Sequence, residues 1–113
     1  FAYDLQTQKR ATLVGETTGG GANPGGPAAL AHGFVAFIPT GKAINPITGI
    51  NWEGVGVKPD VSVPAGEALK TAHGSALKAI LAKEKDAEYR KRLEGILSRV
   101  EKGEVDPQIY SRR

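Results

Sequence analysis

Apolar residues recur along this 113-residue chain at different periods in its two halves. Leu69, Ala72, His73, Ala76, Leu77, Ile80 and Leu81 follow the three-and-four spacing of one helical face. Tyr89, Leu93, Ile96, Leu97 and Val100 repeat that spacing, and Gly103 is placed to stop the second helix. Upstream, residues 1–10 (FAYDLQTQKR) predict a short amphipathic helix with Phe1, Leu5 and Ala2 on its buried side. Residues 11–15 are short, apolar and β-branched, which predicts a fully buried strand. In residues 33–39, Phe34, Ala36 and Ile38 face one side and Val35 and Phe37 the other, so this second strand is expected to be covered on both faces. Val61 and Val63 alternate with polar neighbours, as on a half-exposed edge strand.

Between these elements lie breakers. Residues 15–27, GETTGGGANPGGP, are dense in glycine and read as a loop without regular structure. Pro46 followed by Gly49 suits a tight turn. Helix followed by buried strand is half of a βαβ unit, which implies a parallel neighbour strand outside this chain. The expected class is α/β: short strands with a glycine-rich loop, followed by two C-terminal helices. Residues 1–64 would form the α/β part and residues 65–113 a helical extension.

Charge changes this picture little. Residues 1–82 carry six basic and five acidic side chains and residues 83–113 nine and seven, which makes the 15 and 12 of the whole chain. The tail is therefore a solvated helix surface of mixed sign, and the net charge of +3 gives no one-sign patch for nucleic acid. No apolar run is long enough to span a membrane. Without cysteine there is no disulfide and no thiol nucleophile.

Candidate chemistry is sparse. The glycine loop lets backbone N–H groups approach a ligand, but it lacks the spacing of a phosphate-binding loop. Composition alone favours a plain surface connection. His32 and His73 are the residue type most used as a general base. His73 lies on an apolar helical stripe and His32 precedes a glycine at a strand start, so neither stands out. No His or carboxylate pair has metal-ligand spacing. Glu53, taken alone, is an ordinary solvated carboxylate.

Two stretches alter that reading: GETTGGGANPGG, and Gly41–Pro64 (GKAINPITGINWEGVGVKPDVSVP), which contains Glu53-Gly-Val-Gly-Val-Lys-Pro-Asp60. In this order they resemble the C-terminal half of a tail-specific serine protease domain. That group holds the C-terminal processing proteases, the tricorn core protease and the interphotoreceptor retinoid-binding proteins. The resemblance implies part of a crotonase- or ClpP-like fold and a fragment of a serine endopeptidase. Its nucleophile would lie just upstream of Phe1. An absent methionine and a helix that starts without a capping residue agree with a fragment.

The resemblance also implies site residues. In the C-terminal processing proteases the glycine loop carries a lysine as general base; here Gly21 holds that position, and the nearest lysines are Lys9, in the preceding helix, and Lys42, in a later strand. The chain is more similar to the tricorn-like branch, in which a distant histidine is the base and a glutamate supports it. Glu53 takes the glutamate's place, with Gly54 and Val55 departing from the usual pattern. Glu53 is thus the one residue assigned a catalytic role, as an orienting carboxylate, and Asp60 is structural. The sequence identifies no substrate-contacting residue, and no cofactor is implied. Expected partners are a peptide or protein substrate, the N-terminal part of the same protein and a second copy of the chain. A periplasmic or secreted location would follow the relatives. The rival expectation is a non-catalytic protein of the retinoid-binding type that holds an apolar ligand; a third is a self-contained domain that scaffolds or dimerises.

Overall fold

A computed structural model describes residues 1–104, so the end of the expected 65–113 extension lies outside the described residues. The chain divides into two compact units, Phe1–Ser62 and Val63–Arg113. In order, the elements are helix α1 (Ala2–Thr7), strands β1 (Val14–Gly15), β2 (Gly25–Ala29), β3 (Val35–Pro39) and β4 (Val61–Ser62), and helices α2 (Ala65–Leu81) and α3 (Ala87–Glu101). Helices and small strands together fit the α/β class.

The first unit is held more by polar bonds than by an apolar core. Helix α1 buries none of its residues. Phe1, expected on a buried face, lies outside the helix and is exposed. The helix is instead pinned by its polar side chains. Gln6 Nε2 donates to the Lys58 carbonyl at 2.9 Å and to Asp60 Oδ1 at 3.0 Å. The Asn45 amide, itself buried, donates to Asp4 Oδ1 and to Thr7 Oγ1, both at 3.1 Å. Asn45 Oδ1 in turn accepts the Ile47 and Thr48 N–H groups, and the Gly49 N–H closes on the Asn45 carbonyl at 2.8 Å. The expected turn at residues 46–49 is therefore an Asx-type turn that also clasps α1.

Four expectations about strands fail in an instructive way. The parallel neighbour of the first strand lies inside the chain: β1 pairs with β4, Val14 opposite Val61 and Gly15 opposite Ser62. The strand expected at 11–15 shrinks to Val14–Gly15, with Ala11 and Thr12 exposed, and Leu13 just before it accepts the Asp60 and Val61 N–H groups. The glycine-rich stretch also holds regular structure. Gly25–Ala29 forms an antiparallel hairpin with β3, with Gly25 opposite Pro39 and Ala29 opposite Val35. Gly25 suits this place because a Cβ there would run into the Ile38 backbone. A turn over Ala31–Gly33, with His32 at φ 61° and Gly33 at φ 79°, joins the two strands. Strand β3 was expected to be covered on both faces. Two strands cannot do that, and Val35 (69% exposed) and Phe37 (62%) remain open.

The second unit has the better core. Leu77 of α2 packs with Leu93 and Val100 of α3, flanked by Leu81, Ile96 and Leu97. The helices are joined at a deliberate corner. Asp86 caps α3 by accepting the Tyr89 N–H at 2.7 Å. The Arg90 guanidinium donates to the carbonyl of Leu81, the last residue of α2, at 2.6 Å and to the Glu84 carbonyl in the connection at 3.0 Å. Gly103, at φ 77°, ends α3 as its position suggested. The apolar stripe of α2 is wider than its partner, so Leu69 and Ile80 stay exposed.

Candidate functional site

The segment 51–57 folds back on the glycine run 18–23, and the two are laced by backbone bonds. The Gly54 N–H donates to the Gly20 carbonyl at 2.8 Å, and the Thr18 N–H to the Val57 carbonyl at 3.2 Å. Val57, buried, returns its own N–H to Thr18 Oγ1 at 2.8 Å. Two glycines permit this approach. Gly20 has φ 83°, and a Cβ there would lie 2.9 Å from the Gly56 nitrogen. Gly56 has φ 76°, and a Cβ there would strike the Thr18 carbonyl oxygen.

Glu53 sits at the centre of this lacing. Its Oε2 accepts the Ala22 N–H at 2.7 Å and the Asn23 N–H at 2.8 Å. Among the described residues its other oxygen, Oε1, has no hydrogen-bond partner, and the side chain is exposed. The two N–H groups, Ala22 first and Asn23 second, hold its carboxyl below the usual glutamate range against a small opposing effect of burial. The carboxylate is thus ionised, fixed by one oxygen and free to accept a proton donor with the other. This is more order than a surface glutamate has, and it comes from backbone groups that periodicity and composition do not reveal.

Asn51 completes the arrangement, and nothing in the sequence singled it out. Its Oδ1 accepts the Glu53 N–H at 3.0 Å. Its Nδ2 donates to Asn23 Oδ1 at 3.0 Å and to the Ala43 carbonyl at 2.7 Å. Trp52 Nε1 donates to the Gly21 carbonyl at 3.1 Å, and the Trp52 ring lies 5.3 Å from the Tyr3 ring at a tilt of 48°. Both rings border an open concavity of about 340 Å³, together with Phe1, Val57 and the backbone of Gly19–Gly21.

The other sequence candidates stand elsewhere. Gly21 could carry a side chain, since a Cβ there would meet nothing within 4 Å, so the lack of a lysine is a chemical difference and not a steric one. Lys9 lies past the end of α1 at φ 54°, and Lys42 lies outside any strand, which corrects both expected placements. His32 sits on the β2–β3 turn, and no hydrogen bond joins it to Glu53 among the described residues. His73 is a half-buried residue of α2 in the second unit. Asp60 is structural in form: its Oδ2 accepts the Leu13 N–H at 2.7 Å and its Oδ1 the Gln6 amide. These donors, Leu13 first, hold its carboxyl below the usual aspartate range.

Compared with known protein families, residues 1–63 match the family model described as peptidase family S41. The match spans α1, the glycine run, the hairpin and the Glu53 loop, and stops at the boundary between the two units.

Proposed function

The chain belongs to peptidase family S41, and on that premise we propose that its first unit is part of a serine endopeptidase site in which Glu53 orients the general base. The serine and the base would come from segments outside residues 1–113, in the tricorn-like arrangement. The whole domain would then have a crotonase- or ClpP-like fold. The observation that carries the reading is the asymmetric anchoring of Glu53, with one carboxylate oxygen on two backbone N–H groups and the other open.

The chemistry follows from that geometry. A serine Oγ attacks the scissile carbonyl while the base takes its proton, and the resulting cation needs a fixed negative charge beside it. An ionised carboxylate already held by backbone donors supplies that charge without reorganising. Backbone N–H groups near the serine hold the oxyanion, and the base returns its proton to the leaving amine. Water then repeats the sequence on the acyl-enzyme. No cofactor takes part in this scheme.

The test is Glu53→Gln in the full-length protein that carries these residues. Turnover should fall by about tenfold to ten-thousandfold, as for an orienting carboxylate, with the fold intact. An unchanged kcat/KM in a folded variant would return Glu53 to a structural role.

One observation favours a second reading, that of a non-catalytic protein binding an apolar ligand: the concavity walled by Tyr3 and Trp52. Trp52 is the single tryptophan of the chain, so its emission reports on that concavity directly. A saturable shift of emission with an apolar ligand, in a full-length protein that hydrolyses no peptide, would favour binding over catalysis.

A further inference from the structure

We infer that Asn51 is the positioning residue that presents Glu53, by fastening the loop that carries the carboxylate to the loop that carries its donors. Glu53 is anchored by the Ala22 and Asn23 N–H groups, but those follow directly on Gly19, Gly20 and Gly21. A run of glycines has more backbone freedom to lose than any other sequence, so it cannot by itself hold two donors in register. The Gly54 N–H on the Gly20 carbonyl and the Trp52 indole on the Gly21 carbonyl hold the run as far as Gly21, and a further tie must hold Ala22 and Asn23 themselves.

Asn51 does this with three bonds from one short side chain. The bond to the Glu53 N–H sets the direction in which the glutamate leaves the chain. The bond to Asn23 Oδ1 grips the residue whose own N–H binds Glu53 Oε2. The 2.7 Å bond to the Ala43 carbonyl ties both to the segment that follows the hairpin. A closed ring results, running from Asn51 through Asn23 to the Glu53 carboxylate and back along the chain. An amide suits this position because it offers an acceptor and two donors at once. Aspartate would lose the two donor bonds, and serine would not reach the same three partners. A site group is only as well placed as the residues that support it, and here the support lies two residues before the group.

The inference takes the importance of Glu53 from the peptidase reading, but its geometry stands apart from it, and so does its test. Amide proton resonances of the 113-residue chain serve as the probe. In the unaltered chain, the Ala22 and Asn23 amide protons should lie downfield and should move together when Glu53 is protonated. In Asn51→Ala both should lose that position, and their hydrogen exchange should rise about tenfold, as the loss of a charge-assisted bond implies. The amides of α3 should not change. Asn23→Ala removes only one of the three ties and keeps its own N–H, so a smaller loss is expected. The double variant should be no worse than Asn51→Ala, since both act through one contact.

Unchanged Ala22 and Asn23 amides in a folded Asn51→Ala chain would overturn the inference. If Asn51→Ala unfolds the first unit, Asn23→Ala decides: partial loss of the signature supports the positioning role and an unchanged signature overturns it. The peptidase reading fails by a different result, unaltered turnover in Glu53→Gln, which leaves these amide signals where they are expected.

Discussion

Leu13 and Asp60 bind each other in both directions: the Leu13 N–H donates to Asp60 Oδ2 at 2.7 Å, and the Asp60 N–H donates to the Leu13 carbonyl at 2.9 Å. That reciprocal pair sits one residue before the β1–β4 ladder and sets its register. A two-residue parallel ladder is too short to align itself, so a carboxylate on a backbone N–H does the aligning.

Acid should therefore loosen the first unit. Asp60 and Glu53 both have folded-state values below the usual carboxylate range. Their contribution is fully present above the unfolded values, near pH 4, and is lost as pH falls through the lowered folded values. Asp60→Asn should lower the denaturation midpoint at neutral pH, read by Trp52 emission, and the gap to the unaltered chain should close as pH falls below the usual aspartate range. A variant as stable as the parent at pH 7 would show that the Leu13–Asp60 pair does not set the ladder.

Two neighbouring glycines should respond differently to the same change. Gly54 and Gly56 both have positive φ, but a Cβ at Gly54 meets nothing within 4 Å, whereas one at Gly56 strikes the Thr18 backbone. Gly54→Ala is expected to cost about 1–2 kcal/mol, the strain of a left-handed residue alone. Gly56→Ala should cost more than about 3 kcal/mol, because backbone must move as well. Equal losses in a denaturant titration would contradict the close approach of residues 18 and 56.

The second unit gives a sharper contrast. Leu93 is 5% exposed against Leu77 and Val100, while Leu69 on the same stripe pattern is 56% exposed. Leu93→Ala should destabilise by about 2–5 kcal/mol, and Leu69→Ala by no more than about 0.5 kcal/mol. Thermal unfolding followed by circular dichroism at the helical band measures both.

Arg90 closes the corner between α2 and α3 by donating to the carbonyl of Leu81, the last residue of α2, and to that of Glu84 in the connection. Arg90→Ala should cost about 1–2 kcal/mol, and Arg90→Lys should recover only part of it, since one ammonium lacks the planar fork. Full recovery by lysine would mean that charge near the helix end, and not the paired bonds, is what matters.

What could be read in the sequence follows from what each signal encodes. The helical spacing of Leu77, Leu81, Leu93, Ile96, Leu97 and Val100 located the core of α2 and α3, because burial there depends on adjacent turns of two helices close in sequence. Asp86 precedes Arg90 by four residues, the acid-first order that suits an ion pair on a helix. In the folded chain Asp86 instead caps a backbone N–H and Arg90 caps carbonyls, with its ion pair to Glu94 at 3.8 Å. Alternation in β3 identified a strand but could not say how many neighbours it has, so burial was overestimated. Gly25, Gly26 and Pro27 are poor strand formers, and only the presence of β3 opposite them makes a strand. At the candidate site, the surrounding motif singled out Glu53. Asn51 and Asn45 were not, because an asparagine that bridges loops carries no periodic mark. An asparagine directly before Pro46 in a turn was the one local sign available.

The β1–β4 pairing has a consequence in time as well as in space. Residues 14–15 cannot find their partners until residues 61–62 exist, whereas β2 and β3 meet across one short turn. On a growing polypeptide the hairpin can form as soon as it emerges, within roughly 1–10 μs. Helix α1 and the glycine run must wait, open, while the rest of the first unit is synthesised at about 5–20 residues per second. For about 1–5 s the apolar side chains of β3 precede the loop that closes the unit. That interval, more than the finished structure, is when this half of the chain is most exposed to wrong neighbours.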